Sequence, residues 1–146
     1  MAKFRFSLQT LLRYREDAEQ AARDEMMMRL FRQQQEEQKL GDLKKRRNET
    51  SVEMSEKQQD SAAYSDLIYY RMYIDRLDYE IENSSRRLVK LRMEAEMQRK
   101  ILVEASKKRK TLTSLRDKKE KEFNLAQDKI FQKEIDEMVV LRHKRT

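Results

Sequence analysis

The near absence of turn-forming residues is the feature that most constrains this chain. Its 146 residues include no proline and a single glycine, Gly41. Reversals of chain direction usually need Gly, Pro or Asn at special backbone angles, so this chain can reverse only once or twice. Ala, Glu, Lys, Leu and Arg supply 75 of the 146 residues, a composition typical of long helices, whereas valine occurs only five times. These features predict an all-α fold.

A heptad repeat begins at Leu67 and defines the more regular half of the chain. Its a positions are Leu67, Ile74, Ile81, Leu88, Ala95 and Leu102, and its d positions are Tyr70, Leu77, Ser84, Leu91, Gln98 and Ala105. Ten of these twelve residues are apolar, and the alternation of three- and four-residue steps never slips. Because a 3.5-residue period keeps one stripe facing a partner helix, this stretch is predicted to form a coiled-coil seam.

A second apolar stripe with helical spacing occupies the first third of the chain. With one four-residue skip it comprises Phe4, Leu8, Leu11, Ala18, Ala22, Met26, Leu30, Leu40 and Leu43. The run Met26-Met27-Met28 is expected to serve mainly in core packing, because Met fills gaps adaptably.

The segment between the two stripes is small and polar, and it contains three candidate N-cap residues, Asp60, Ser61 and Ser65. An alternative break lies at Thr50-Ser51-Val52-Glu53, which has the pattern of a capping box. A turn near residue 60 is favoured because it leaves two intact stripes to face each other.

The predicted fold is therefore two long helices that form an antiparallel coiled-coil hairpin with a C-terminal helical overhang. We expect a single domain over residues 1–146, with helix one at about 4–55, the turn at about 56–64 and helix two at about 65–143. Helix two is the longer, so its last turns extend past the paired region. Those turns also carry the poorest heptads.

Residues that carry catalysis or bind metals are scarce. The chain has no cysteine, one histidine (His143), no Gly-rich phosphate loop and no ligand cluster at metal spacing. We therefore predict no enzyme activity, no catalytic residue, no cofactor, no metal and no small-molecule substrate. Apolar runs reach only about four residues, so no segment is predicted to span a membrane.

Positive charge is concentrated in one segment, residues 99–121. It holds ten basic and three acidic residues, a net +7 that equals the net charge of the whole chain. Such a segment suits an acidic protein partner or a nucleic acid, or it is simply a solvated helix face. A basic leucine zipper is excluded, because no leucines recur at seven-residue intervals after the basic run.

Four large side chains occupy positions off the seam, where a solvated hairpin would place charge: Tyr69, Met72, Tyr73 and Tyr79. Aromatic residues and Met are enriched at protein interfaces, so this aromatic stripe is a candidate binding surface. The alternatives are that these side chains shield the seam or pack against a third helix.

Three stretches of the chain resemble the flagellar export protein FliJ family: FRFSLQTLLRYRE at the start, YYRMYIDRLDYEI after the turn and EIDEMVVLRHKR near the end. The resemblance implies a cytoplasmic antiparallel coiled coil, similar in shape to the central stalk of rotary ATPases and peripherally associated with the inner-membrane export apparatus. It implies three classes of partner: a hexameric export ATPase that the protein activates, a transmembrane export gate protein, and export chaperones.

The resemblance also implies two sets of binding residues. The ATPase ring would face residues near 2–21 and roughly 100–140, with the contacts assigned to Phe4, Leu8, Arg13, Lys107, Lys108, Arg109, Lys110, Arg116, Lys118 and Lys119. The family's gate contact matches Tyr73 and Leu77, and the rest of the aromatic stripe (Tyr69, Met72 and Tyr79) extends it. The alternative function is a generic coiled-coil scaffold or a basic coiled coil that binds nucleic acid, although nucleic acid is the less expected partner.

Overall fold

The computed structural model describes residues 2–60 and 63–145, and it contains two α-helices there and no strand. Helix α1 spans Gln9–Gln59 and helix α2 spans Tyr64–Arg145. The helices pack against each other, which confirms the predicted all-α helical hairpin. The alternative break at residues 50–53 is wrong, because α1 runs through it and the Thr50 hydroxyl donates to the Arg46 carbonyl oxygen at 2.7 Å. Thr50 thus bonds the preceding turn instead of capping a new helix.

The two helices meet the turn at residues other than the expected caps. Ala63 precedes α2, and its carbonyl oxygen accepts the backbone N–H groups of Asp66 and Leu67. Asp60 follows α1, Ser65 lies inside the first turn of α2, and the candidate cap Ser61 lies outside the described residues. The acidic side chain in the first turn of α2 is Asp66, where a negative charge suits the positive end of the helix dipole.

Helix α1 begins five residues later than expected, and the chain before it is not helical. Phe4 and Phe6 are half-buried, whereas Leu8 is exposed. The Phe4 ring packs on the Phe123 ring with the centroids 5.7 Å apart. The non-helical segment is therefore held against α2 through Phe4.

The described chain forms two compact units. One, called here the terminal unit, comprises residues 2–21 and 103–145; the other, the central unit, comprises residues 22–102. Both helices contribute to both units. The single domain over residues 1–146 stays a prediction.

In the central unit, the heptad positions of α2 form the seam as predicted. Six of them are buried: Ile74, Leu77, Ser84, Leu88, Ala95 and Gln98. The remaining a and d residues of α2, from Leu67 to Ala105, are half-buried. The seam thus follows the 3.5-residue period throughout this stretch.

The seam of α1 differs from the predicted stripe. Leu11 and Leu30, which were expected to face α2, are 39% and 45% exposed. The covered positions instead follow three- and four-residue steps through Leu12, Arg15, Glu19, Ala22, Met26, Arg29, Gln33, Glu36, Leu40, Leu43, Arg47, Thr50 and Met54. Of the three consecutive methionines, only Met26 lies in the seam. About half of this seam is polar, so the apolar residues alone could not reveal it.

Polar seam residues of the central unit are matched across the two helices. The Ser84 hydroxyl, which is fully buried, donates to the Glu36 carboxylate at 2.7 Å, and the Gln98 amide donates to the Ala22 carbonyl oxygen at 3.1 Å. Arg47 donates to the Asp78 carboxylate at 2.6 Å. No buried side-chain nitrogen or oxygen of the described residues lacks a hydrogen-bond partner. The pairs rise along α2 as they fall along α1, so the helices are antiparallel here.

The terminal unit is covered less completely. Leu12 is its most buried side chain, and Glu19 bonds Arg109 across the helices. Every described residue from 128 to 145 is exposed. Large apolar side chains such as Phe131, Met138 and Leu141 therefore contact solvent there.

Candidate protein-binding surfaces

Cations of the terminal unit form the first candidate surface. Six of them are exposed to solvent: Lys107, Lys108, Lys110, Arg116, Lys118 and Lys119. The Lys119 ammonium lies 3.9 Å from the Glu122 carboxylate, a pair that solvent screens because both side chains are more than half exposed. We call these six residues the cation cluster. Its charge is available to an acidic partner.

Arg109 belongs to the same basic run but has a different environment. Its guanidinium donates to the Glu19 carboxylate at 3.0 Å, and Glu19 is only 7% exposed. A carboxylate that is so far removed from water needs a partner charge. Arg109 therefore stabilises the packing of α1 on α2, and its charge is largely neutralised inside the unit.

The N-terminal residues of the terminal unit lie beside this basic run. Phe4, Arg5, Phe6, Gln9 and Arg116 line a groove of about 340 Å³. Leu8 and Arg13 are exposed. Sequence reasoning had assigned Phe4 and Arg116 to the same partner, but it missed Arg5 and Phe6. The alternation of apolar residues at 4, 6 and 8 does not fit one face of a helix, and it could have placed Phe6 outside α1.

The aromatic stripe lies in the central unit and faces solvent. Tyr69 is 72% exposed, Met72 and Tyr79 are similarly open, and Tyr73 is 38% exposed. Leu77 is different, because it is 3% exposed and lies in the seam. A partner that binds the paired helices can touch the stripe but not Leu77.

A groove of about 410 Å³ adjoins the stripe. Tyr69, Tyr70 and Tyr73 line it together with Asp66 of α2 and Lys57 of α1. Sequence reasoning treated Tyr70 only as a seam residue and did not single out Lys57. The heptad frame predicts which residues share a face of one helix, but Lys57 comes from the other helix. Its contribution follows only from the turn geometry.

Metal-binding groups and membrane-spanning stretches were looked for in the residues that the structure describes. No group of three or more His, Cys, Asp or Glu side chains within residues 2–60 and 63–145 could hold a metal ion. Across that same part of the chain, neither helix has a stretch long and apolar enough to cross a membrane.

Exposed hydrogen-bonded side chains of the central unit have shifted pKa values without forming a site. A hydrogen bond from Arg99 lowers the pKa of Glu96, and the same bond raises the pKa of Arg99. Hydrogen bonds from Gln33 and then Arg92 lower the pKa of Glu37. In each case the hydrogen bond favours the charged form of the group.

The family model described as flagellar FliJ protein matches residues 4–146. Neither the curated proteins nor the solved structures contain a match to the chain. The family match covers nearly the entire sequence, including both helices and both candidate surfaces. The chain therefore belongs to the flagellar FliJ family, a non-catalytic component of flagellar protein export.

Proposed function

We propose that this protein is a stalk and adaptor of the flagellar export apparatus. It binds and activates the hexameric export ATPase, and it links that ATPase to the transmembrane export gate protein and to export chaperones. It acts in the cytoplasm, peripherally associated with the inner-membrane apparatus. The observation that carries the proposal is that the residues assigned to the ATPase belong to the terminal unit, whereas those assigned to the gate belong to the central unit.

The ATPase surface combines charge with a small aromatic groove. The cation cluster attracts an acidic surface, and Phe4 and Leu8 supply apolar contact, with Arg13 on the first turns of α1. Exposed charges act over about 8 Å at physiological ionic strength, so this attraction speeds association and weakens with salt. Arg109 contributes indirectly, because its ion pair with Glu19 holds α2 against α1.

The gate surface is the aromatic stripe with its adjoining groove. Tyr69, Met72, Tyr73 and Tyr79 present large side chains, and the exposed charges between them are paired along α2, as in Arg71–Asp75 and Arg76–Glu80. Tyrosine is among the residues that supply most of the binding energy in protein interfaces. Leu77 is buried in the seam, so it acts in the packing of α1 on α2 and not in contact with the gate.

Charge reversal tests the ATPase surface most directly. The variant Lys107→Glu/Lys108→Glu/Lys110→Glu should lose stimulation of the purified export ATPase, and the stimulation that remains should be less sensitive to salt. The matched control Lys44→Glu/Lys45→Glu/Lys90→Glu changes three exposed lysines of the central unit and should stimulate normally. Unaltered stimulation by the first variant would mean that the cluster is a solvated face. Tight binding of duplex DNA at physiological salt would favour the nucleic-acid alternative.

A further inference from the structure

The last turns of α2 present an apolar face that no other part of the described chain covers. Gln127 is the last half-buried residue of α2, and every described residue beyond it is exposed. Phe131 is 64% exposed there, Met138 68% and Val139 59%. None of the residues assigned to the ATPase or gate contacts lies beyond Gln127. We call residues 128–145 the overhang.

Five uncharged residues of the overhang share one face of the helix. At 100° per residue they occupy about 120° of its circumference. They are Phe131, Gln132, Ile135, Met138 and Val139. Lys129, Lys133 and Asp136 lie on the other side, so the overhang is amphipathic. A helix of this kind is stabilised when its apolar side packs against a partner.

The apolar face does not continue the seam between α1 and α2. Phe123 and Gln127 are the last covered residues of α2, and Phe123 contacts the Phe4 ring. At 100° per residue, Ile135 points about 80–120° away from both of them. A longer first helix on the same seam would therefore leave the face open. Its partner must come from outside the described chain.

Charges of opposite sign stand at the two ends of the apolar face. Asp128 lies at its start, and Arg142 and Arg145 lie at its end. Steps of three and four residues connect these charges to Phe131, Ile135 and Met138, which keeps all six on one stripe. Two copies that run antiparallel would bring each acidic end to a basic end, whereas two parallel copies would bring like charges together. The face is therefore complementary to itself in the antiparallel orientation.

One antiparallel register satisfies both the apolar and the charged residues. When Ile135 lies opposite Met138 of a second copy, Asp128 lies opposite Arg145 of that copy. The same register places the Arg142 guanidinium of the second copy beside the Phe131 ring, where a cation–π contact is favourable. Each contact occurs twice, because a two-fold pair repeats every interaction.

We infer that the overhang of one chain pairs antiparallel with the overhang of a second copy of this chain. The face is about 26 Å long and about 10 Å wide. This contact is smaller than the about 800 Å² that each partner buries in a stable interface, so the pair is weak and reversible. An anionic membrane suits the overhang less well, because its negative surface repels Asp128, Glu134, Asp136 and Glu137.

Sedimentation velocity of the full chain, from micromolar to near-millimolar concentration, tests the pairing. The wild type should change reversibly from monomer to dimer. The variant Phe131→Ala/Met138→Ala should pair about tenfold or more weakly, because truncating an interface aromatic commonly costs that much. When both are dilute, its melting temperature should match the wild type, since both side chains are exposed. The matched control Val89→Ala/Met93→Ala changes two exposed apolar residues of α2 in the central unit and should pair normally.

Cysteine crosslinking tests the orientation, because the chain has no cysteine of its own. A mixture of Asp128→Cys chains and Arg145→Cys chains should form disulfide-linked dimers. Neither variant alone should do so, because the two copies of residue 128 lie about 26 Å apart in the antiparallel pair.

Four results would overturn the inference. A wild-type chain that stays monomeric over the whole range would remove it, and the ATPase and gate contacts would still be tested by their own assays. Normal pairing of Phe131→Ala/Met138→Ala would place the contact on another surface. Crosslinking of Asp128→Cys chains alone would show a parallel pair. Binding to phosphatidylglycerol vesicles that this double variant loses, without any pairing in solution, would make a lipid surface the occupant.

Discussion

Truncating Leu77 should lower the stability of the helix pair and leave gate binding largely intact. Truncating Tyr73 should weaken gate binding and leave stability largely intact. Leu77 is 3% exposed, and a buried Leu→Ala change costs about 2–5 kcal/mol of unfolding free energy. The seam between two helices is thin, so the side chains around residue 77 can relax into the space that the truncation leaves. We therefore expect a loss of unfolding free energy at the lower end of this range, about 2–3 kcal/mol. For a chain of this length, that loss lowers the melting temperature by about 4–12 °C. Tyr73 is 38% exposed and off the seam, so Tyr73→Ala should cost about 1 kcal/mol or less.

Two assays on the same two variants separate these roles. Thermal melting followed by circular dichroism at the helical band should show the large shift for Leu77→Ala only. Binding to the purified cytoplasmic part of the export gate protein should fall about tenfold for Tyr73→Ala, the loss expected for an interface aromatic. Leu77→Ala should retain most binding at temperatures where it is folded. The reasoning is refuted if Tyr73→Ala melts as early as Leu77→Ala, or if Leu77→Ala stays as stable as the wild type.

Three further predictions concern the packing of the hairpin. Gly41→Ala should raise the unfolding free energy by about 0.5–1 kcal/mol in chemical denaturation, because an added Cβ meets nothing within 4 Å and alanine favours the helix; a loss of stability would contradict this. Arg109→Gln should lower the unfolding free energy by about 1–2 kcal/mol, because the largely buried Glu19 carboxylate loses the positive charge beside it. The exposed control Lys108→Gln should leave the unfolding free energy unchanged. Equal melting temperatures of the two variants would contradict this reasoning. The folded state lowers the pKa of Glu37 and of Glu96, so both carboxylates stabilise it at pH values above the ordinary carboxyl pKa. This stabilisation should disappear as the pH falls through the lowered pKa values of the folded state. The variant Glu37→Gln/Glu96→Gln should therefore show a smaller decline in melting temperature on acidification.

The seam of α2 could be predicted from sequence because its chemistry matches its geometry. Ten of the twelve a and d residues between Leu67 and Ala105 are apolar, so apolar periodicity alone locates them. All twelve are buried or half-buried in the structure. The two polar members, Ser84 and Gln98, are satisfied by Glu36 and by the Ala22 carbonyl oxygen. Those partners lie on the other helix and are not apparent from α2 itself.

The seam of α1 could not be predicted in the same way. Glu19, Glu36 and Arg47 occupy covered positions because cross-helix partners compensate their charge, and a search for apolar residues passes over them. Leu11 and Leu30 were assigned to the seam for their hydrophobicity, yet each lies one residue away from a covered position. Neighbouring side chains of a helix differ by about 100° in direction. An error of one residue in locating the seam therefore assigns to it a side chain that points away from α2.

The candidate surfaces were predictable to different degrees. The cation cluster and the aromatic stripe follow from runs of charged and aromatic residues that the sequence displays directly. Their grooves do not, because Lys57 and Phe6 reach them from other segments of the chain. The sequence also did not show which residue of Met26-Met27-Met28 is covered, because that depends on the phase of α1.

The central claim is that the two units bind different partners, and measuring both functions on both surface variants tests it most directly. ATPase stimulation and gate binding should be measured for Lys107→Glu/Lys108→Glu/Lys110→Glu and for Tyr73→Ala. We predict that the charge-reversed variant loses ATPase stimulation and binds the gate normally, whereas Tyr73→Ala stimulates the ATPase normally and loses gate binding. A variant of either surface that loses both functions while it remains folded would contradict the claim.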